Sequence, residues 1–176
     1  MLWVKTFFGI LFQTILLGIF LYLPALTLNW SDAFLLLTIH FLMTILASAY
    51  LLIVKPESIE ARMNYDSKTQ PKEDRLATAL MFSAIIVGLS LAPIDIFHLN
   101  LSSSFEGSIK NIGLAIYIIG MLLFMASINA NEFAETTVNI QEERGQKVID
   151  TGIYSMVRHP MYTGFIFFIT GVNVWL

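Results

Sequence analysis

Thr6 to Leu28 reads TFFGILFQTILLGIFLYLPALTL, a run without a single charged side chain. About 20 apolar residues suffice to cross a ~30 Å hydrocarbon core, so this run is read as a spanning helix with Pro24 near its far end. It is too long for the apolar core of a secretory leader, no small-residue cleavage site follows, and a second span begins at once. It is therefore an anchor. The second span runs from about Ala33 to Val54, entered through Ser31 or Asp32 as N-cap and left at Lys55-Pro56. A third covers roughly Leu76 to Phe97, with Pro93 bending its end, and a fourth begins near Ile109 and crosses by about Ile128. The fourth helix is expected to continue into water, because Phe133, Thr137, Ile140 and Gln141 share one face and Gly145 suits a C-terminal stop. A fifth apolar segment starts at Pro160. Through Leu176 it gives only ~24 Å of helix at 1.5 Å per residue.

Composition agrees with this reading. Hydrophobic residues make up 56% and charged residues 13% of the 176 residues, against roughly 45–50% and about 25% in soluble domains. The chain is expected to be a single all-α domain, 1–176, built as a polytopic membrane helix bundle of about five transmembrane helices. It contains no cysteine, which excludes disulfides, thiolate metal sites and cysteine nucleophiles. No pair of ligands stands at metal spacing, so no metal is expected.

Between spans two and three lies the most charged stretch, Lys55 to Arg75. Pro56, Asn64, Asp66 and Pro71 mark it as a solvated loop, with a short surface helix around Ile59 to Met63. Threading the chain through its spans puts Lys5, Lys55, Arg62, Lys68, Lys72, Arg75, Arg144, Lys147 and Arg158 at one end and Lys110 at the other. Cytoplasmic segments carry the excess of basic residues, so the N-terminus and the segment 129–159 are assigned to the cytoplasm.

One polar cluster stands out against this background, T-G-I-Y-S-M-V-R-H-P-M-Y-T-G from Thr151 to Gly164. Proline lacks an N–H and its φ is pre-set, which suits Pro160 to the first helical turn. Arg158 and His159 then lie at the membrane surface beside free backbone donors, where a polar or anionic ligand is favoured. Such a cluster can hold a water-soluble cofactor against a lipid-embedded substrate. Arg158 also has a plainer reading as an interfacial residue, and Tyr154 and Tyr162 as aromatic-belt residues. Glu142, Glu143, Arg144 and Lys147 read as a solvated face. Within the spans, His40 is read as a histidine hydrogen-bonded across helices, Asp95 and His98 as structural residues at the far interface, and Ala84-x-x-x-Gly88 and Ala47-Ser48-Ala49 as close helix packing.

From Asn131 onward the chain resembles the isoprenylcysteine carboxyl methyltransferase family, whose members look similar to the phospholipid methyltransferases. The resemblance rests on N-E-F near Asn131, Q-E-E-R-G-Q-K-V-I across Gln141–Ile149, T-G-I-Y at Thr151–Tyr154 and R-H-P-M-Y-T-G at Arg158–Gly164. It implies an integral-membrane methyltransferase that uses S-adenosyl-L-methionine at its cytoplasmic mouth, acting on the carboxylate of an isoprenylcysteine-like or other lipidic acceptor. Carried over position by position, the implied cofactor-binding residues are Gln141, Gln146, Lys147, Val148, Ile149, Tyr154, His159, Pro160, Met161 and Tyr162. The implied partners are membrane lipids and a lipophilic acceptor, prenylated or phospholipid, with no nucleic acid and no metal. No catalytic residue is assigned, because the family's second motif, with an arginine for the substrate carboxylate and a glutamate for the cofactor, is expected beyond Leu176. The domain is thus expected to be incomplete at its C-terminus, leaving Asn173 facing lipid. Three alternatives stay open. They are a phospholipid N-methyltransferase, a sterol-type membrane reductase that uses NADPH and carries a similar Arg-His-Pro-x-Tyr element, and an inactive relative.

The topology has a direct check. Single cysteines introduced as Ser67→Cys and Ser103→Cys are expected to react with an impermeant thiol reagent from opposite faces of the membrane, Ser67→Cys from the cytoplasmic one. Labelling of both from one face overturns the assignment.

Overall fold

The computed structural model describes residues 1–63, 72–102, 105–131 and 148–176. Among these residues the fold is all-helical: α1 (Leu2–Ala25), α2 (Ser31–Val54), α3 (Pro56–Met63), α4 (Lys72–Ile94), α5 (Gly107–Ala130) and α6 (Pro160–Trp175). Four helical stretches are long and apolar enough to cross a membrane: α1, α2, the Arg75–Leu99 stretch that begins in α4, and α5. The fifth expected span corresponds to α6. Its 16 residues are fewer than the ~20 of a full crossing, and among the described residues four helices are of spanning length.

Helix ends follow local chemistry. α1 contains Pro24 and closes at Leu26, whose left-handed conformation (φ 55°) turns its N–H back onto Tyr22 O and Leu23 O. The chain then reverses, and the Tyr22 hydroxyl donates to Trp30 O at 3.1 Å. α2 starts differently from the sequence expectation. Trp30 is its N-cap and neither Ser31 nor Asp32 caps it, because the Asp32 carboxylate is engaged by the Lys110 ammonium at 2.6 Å. A charge-assisted pair of this kind outcompetes a backbone amide. The surface helix expected near Ile59–Met63 is present as α3.

α4 begins before Leu76 and contains Pro93, after which Asp95–Leu99 forms a π-helical turn. Proline breaks the usual ladder by removing a donor and crowding the preceding turn. Here the wider turn closes with Asn100 N–H donating to Asp95 O at 2.7 Å. Asp95 then accepts from the Leu101 and Ser102 amides at 2.7 and 3.2 Å, and His98 Nε2 is 2.6 Å from Pro24 O. Both residues are structural, as the sequence suggested. α5 ends at Ala130, with Asn131 extended (φ −119°, ψ 105°); the expected continuation through Phe133, Thr137, Ile140, Gln141 and Gly145 lies outside the described residues, as do Ser67 and Ser103.

The closest contact in the bundle is between α5 and α6, which run antiparallel. A Cβ placed on Gly171 would lie 2.3 Å from Tyr117 N, and one on Gly120 would lie 2.6 Å from Phe168 N. Backbone meets backbone, and no larger residue fits at either point. Gly113 and Gly120 on α5, and Gly164 and Gly171 on α6, each stand seven residues apart and so return to the same helix face. Lipid tails are as apolar as leucine, so helices in a bilayer gain most from such close van der Waals contact. Tyr117, Val172, Leu21 and Leu36 are fully buried around this seam.

Polar ties hold the remaining helices to it. Asn173 donates to Gly88 O at 2.9 Å and to Ile169 O at 2.8 Å, so it is a bridge from α6 to α4 and not a lipid-facing residue. A Cβ placed on Gly88 would lie 3.0 Å from Ile169 Cγ2, in keeping with the close packing at Gly88 expected from sequence. At the end opposite the N-terminus, Trp175 Nε1 donates to Asp32 O at 3.0 Å while Lys110 Nζ lies 5.0 Å from the Trp175 ring centroid. At the N-terminal end the Lys55 ammonium donates to Asn129 O.

The α5–α6 seam can be tested by over-packing. Gly171→Val is expected to destabilise the detergent-solubilised protein by ~1–3 kcal/mol, seen as a lowered thermal unfolding midpoint. Ile166→Ala, on the exposed side of the same helix, is expected to leave the midpoint within error. An unchanged midpoint for Gly171→Val would mean that the two helices do not pack through these glycines.

Candidate functional site

The motif before α6 is shaped by a few local constraints. Gly152 has φ +60°, a left-handed conformation that glycine alone adopts without cost. It opens the 3₁₀ turn Gly152–Ser155, in which the Tyr154 amide donates to Thr151 O at 3.2 Å. This turn packs against the end of α5, where a Cβ on Gly152 would lie 3.5 Å from the Ala130 Cβ and where Asn131 Nδ2 donates to the Tyr154 hydroxyl at 3.4 Å. The chain then enters α6 with His159 as N-cap and Pro160 as the first helical residue. His159 and Tyr162 sit one turn apart, their ring centroids 5.7 Å from each other.

These residues form the mouth of a cavity of about 780 Å³ that runs in among the helices. Clefts of roughly 300–1,000 Å³ are the usual size for cofactor and small-molecule sites. Tyr154, His159, Pro160, Met161 and Tyr162 all line it. Five of the ten residues singled out by the resemblance are thereby brought together. Val148 and Ile149 are described but are not among the lining residues, and Val148 is 93% exposed. Gln141, Gln146 and Lys147 lie outside the described residues. Arg158 is exposed and does not line the cavity.

The remaining wall comes from parts of the chain that carry few sequence signals of such a role. α3 contributes Arg62, whose Nη1 donates to Ser58 Oγ at 3.0 Å. α1 contributes Thr6 and Gln13, and α2 contributes His40, Thr44 and Ser48. Between these polar groups stand Met63, Met81, Met121, Met125 and Met161. Unbranched, polarizable methionines make an adaptable apolar surface, suited to a flexible hydrocarbon chain. Gln13 had one legible signal, as a lone amide in an otherwise apolar span. Arg62 had none, because its place in the wall depends on how α3 folds back beneath α1 and α2. The cavity therefore has a polar aromatic mouth, an apolar middle and a polar inner end around His40.

Residues 109–176 match the family model described as phospholipid methyltransferase. Over 69 residues the chain is 35% identical to Protein-S-isoprenylcysteine O-methyltransferase B of Arabidopsis thaliana, a match covering 39% of this chain and 35% of that protein. The chain thus matches about a third of the length of this curated relative. No solved structure matches. The family-model match falls on the segment from α5 to α6, which carries the cavity mouth and the seam behind it, and both matches agree with the resemblance to membrane methyltransferases read from the sequence.

Proposed function

We propose that this chain is an integral-membrane methyltransferase that takes its methyl group from S-adenosyl-L-methionine and transfers it to a lipidic acceptor, the carboxylate of an isoprenylcysteine-like molecule. The observation that carries this reading is the convergence of Tyr154, His159, Pro160, Met161 and Tyr162 at the mouth of one cavity whose interior is largely apolar. The residues fit the cofactor. Tyrosine rings attract a sulfonium cation, the Asn131 amide, Tyr154 hydroxyl and His159 ring offer hydrogen bonds to a polar nucleoside and amino acid, and the volume suits a ligand of that class. The bound cofactor supplies an electrophilic methyl group, and the protein's part is to align the reactants and exclude water. A carboxylate acceptor is already ionised near neutral pH and needs no general base.

Gln141, Gln146, Lys147, Val148 and Ile149 are proposed to complete the cofactor site alongside the five cavity residues. The basic end of the bundle, with Lys5, Lys55, Arg62, Arg75 and Arg158, is proposed to face the cytoplasm, which places the mouth where a soluble cofactor arrives. A second reading, methylation of a phospholipid amine, is favoured by the family model that matches residues 109–176. An amine must first lose a proton, which asks for a base within the cavity.

His159→Ala and Tyr162→Phe are each expected to weaken S-adenosyl-L-methionine binding while leaving membrane insertion intact. A lost hydrogen bond to a charged ligand costs ~1.5–3 kcal/mol, roughly ten- to a hundred-fold in affinity. Calorimetry on the detergent-solubilised protein, or competition with the demethylated product, measures the change. Unchanged affinity in both variants removes these residues from the site, and selective binding of NADPH would move the protein to the reductases.

A further inference from the structure

The inner end of the cavity bears on which acceptor the site takes; the inference rests on the methyltransferase reading above. About 12 Å of helix beyond Pro160, α6 places Phe168 edge-on to His40 of α2, with ring centroids 6.1 Å apart. His40 is only 7% exposed, yet it lines the cavity together with Gln13 and Thr44. Its Nδ1 lies 2.7 Å from the hydroxyl of Tyr117, a residue with no exposed surface at all.

This contact decides the histidine's tautomer. Among the described residues, His40 Nδ1 is the only acceptor for the Tyr117 hydroxyl hydrogen. A buried hydroxyl without an acceptor is strongly disfavoured, so the phenol donates and Nδ1 accepts. A neutral imidazole has one N–H, which then resides on Nε2. That nitrogen has no hydrogen-bond partner among the described residues, and the histidine lines the cavity. A hydrogen-bond donor therefore faces the cavity from a span, where an unanswered polar group is costly.

We propose that His40, fixed as an Nε2 donor by Tyr117, is a specificity-determining residue that holds an oxygen of the lipid acceptor and selects a carboxylate over an amine. A carboxylate answers this donor with a lone pair. In the transfer, the acceptor oxygen bonds the methyl carbon as the carbon–sulfur bond breaks, the electron pair leaves with sulfur, and no proton moves. An ammonium acceptor would first have to surrender a proton to a base. His40 can accept it at Nε2 only by withdrawing Nδ1 from Tyr117, which strands the buried hydroxyl. The inner end of the site thus works against amine chemistry.

The test measures S-adenosyl-L-methionine affinity and methyl transfer separately in the natural full-length protein, with a prenylated-cysteine acid and phosphatidylethanolamine as alternative acceptors. His40→Phe is expected to raise KM for the acid about ten-fold, the size of one lost hydrogen bond to a charged group, with cofactor affinity unchanged. His40→Gln, which keeps an N–H near the Nε2 position, is expected to recover most of that loss. Tyr117→Phe retains the ring and releases the tautomer, so it is expected to raise the same KM several-fold; it also serves if His40→Phe fails to fold. The wild-type protein is expected to leave phosphatidylethanolamine unmethylated. An unchanged KM for the acid in a His40→Phe or Tyr117→Phe protein that binds cofactor normally overturns the proposal, as does wild-type transfer to phosphatidylethanolamine. Absence of cofactor binding in the wild type would instead overturn the methyltransferase reading itself, and this proposal with it.

Discussion

Two helix backbones in direct contact hold this structure in place. Where Gly120 meets Phe168 and Gly171 meets Tyr117, a single added methyl would collide with main-chain nitrogen. In a bilayer, packing at this distance replaces the hydrophobic force that water would otherwise supply. Because α5 and α6 are held so closely, the turn Gly152–Ser155 and the start of α6 have a fixed seat against the end of α5. The same seam buries Tyr117 and sets Phe168 beside His40. Both ends of the cavity, mouth and floor, are thus referenced to one rigid helix pair.

The other helices attach to that pair through a small number of polar bonds, each in a place where lipid leaves few alternatives. Asn173 reaches Gly88 O, Trp175 reaches Asp32 O, and Lys110 closes on Asp32. His98 joins the π turn after α4 to the end of α1. An unsatisfied polar group in hydrocarbon is costly, so such bonds specify which helices are neighbours more sharply than apolar contact can. The large exposed side chains, among them Phe12, Phe34 and Leu46, are left for lipid to cover.

The cavity combines two sources. Its mouth lies in the segment that matches known membrane methyltransferases, residues 109–176. Much of the remaining wall is built by α1 to α4, which precede that segment and supply Gln13, His40, Thr44, Arg62, Met63 and Met81.

Much of the fold was legible in the sequence, because the physics that decides it is local. Uncharged runs of spanning length and Pro160 at a helix start each depend on a residue's own chemistry and that of its near neighbours. Tyr154 and His159 to Tyr162, which line the cavity, stood out for the same reason, as a compact motif. Tertiary structure decided the rest. Asp32 was read as a cap and became an ion-pair partner, since Lys110 lies far away in sequence and only helix packing brings it near. Asn173 was read as exposed and became a bridge, because its partner is a carbonyl on another helix. His40 was read as a histidine bonded across helices, but the sequence does not name Tyr117 as its partner or show that Nε2 faces a cavity. Apolar periodicity is nearly silent in a membrane helix that is hydrophobic on every side. Which face turns inward there is settled by close backbone approach and by pairing of polar groups, and both depend on residues distant in the chain.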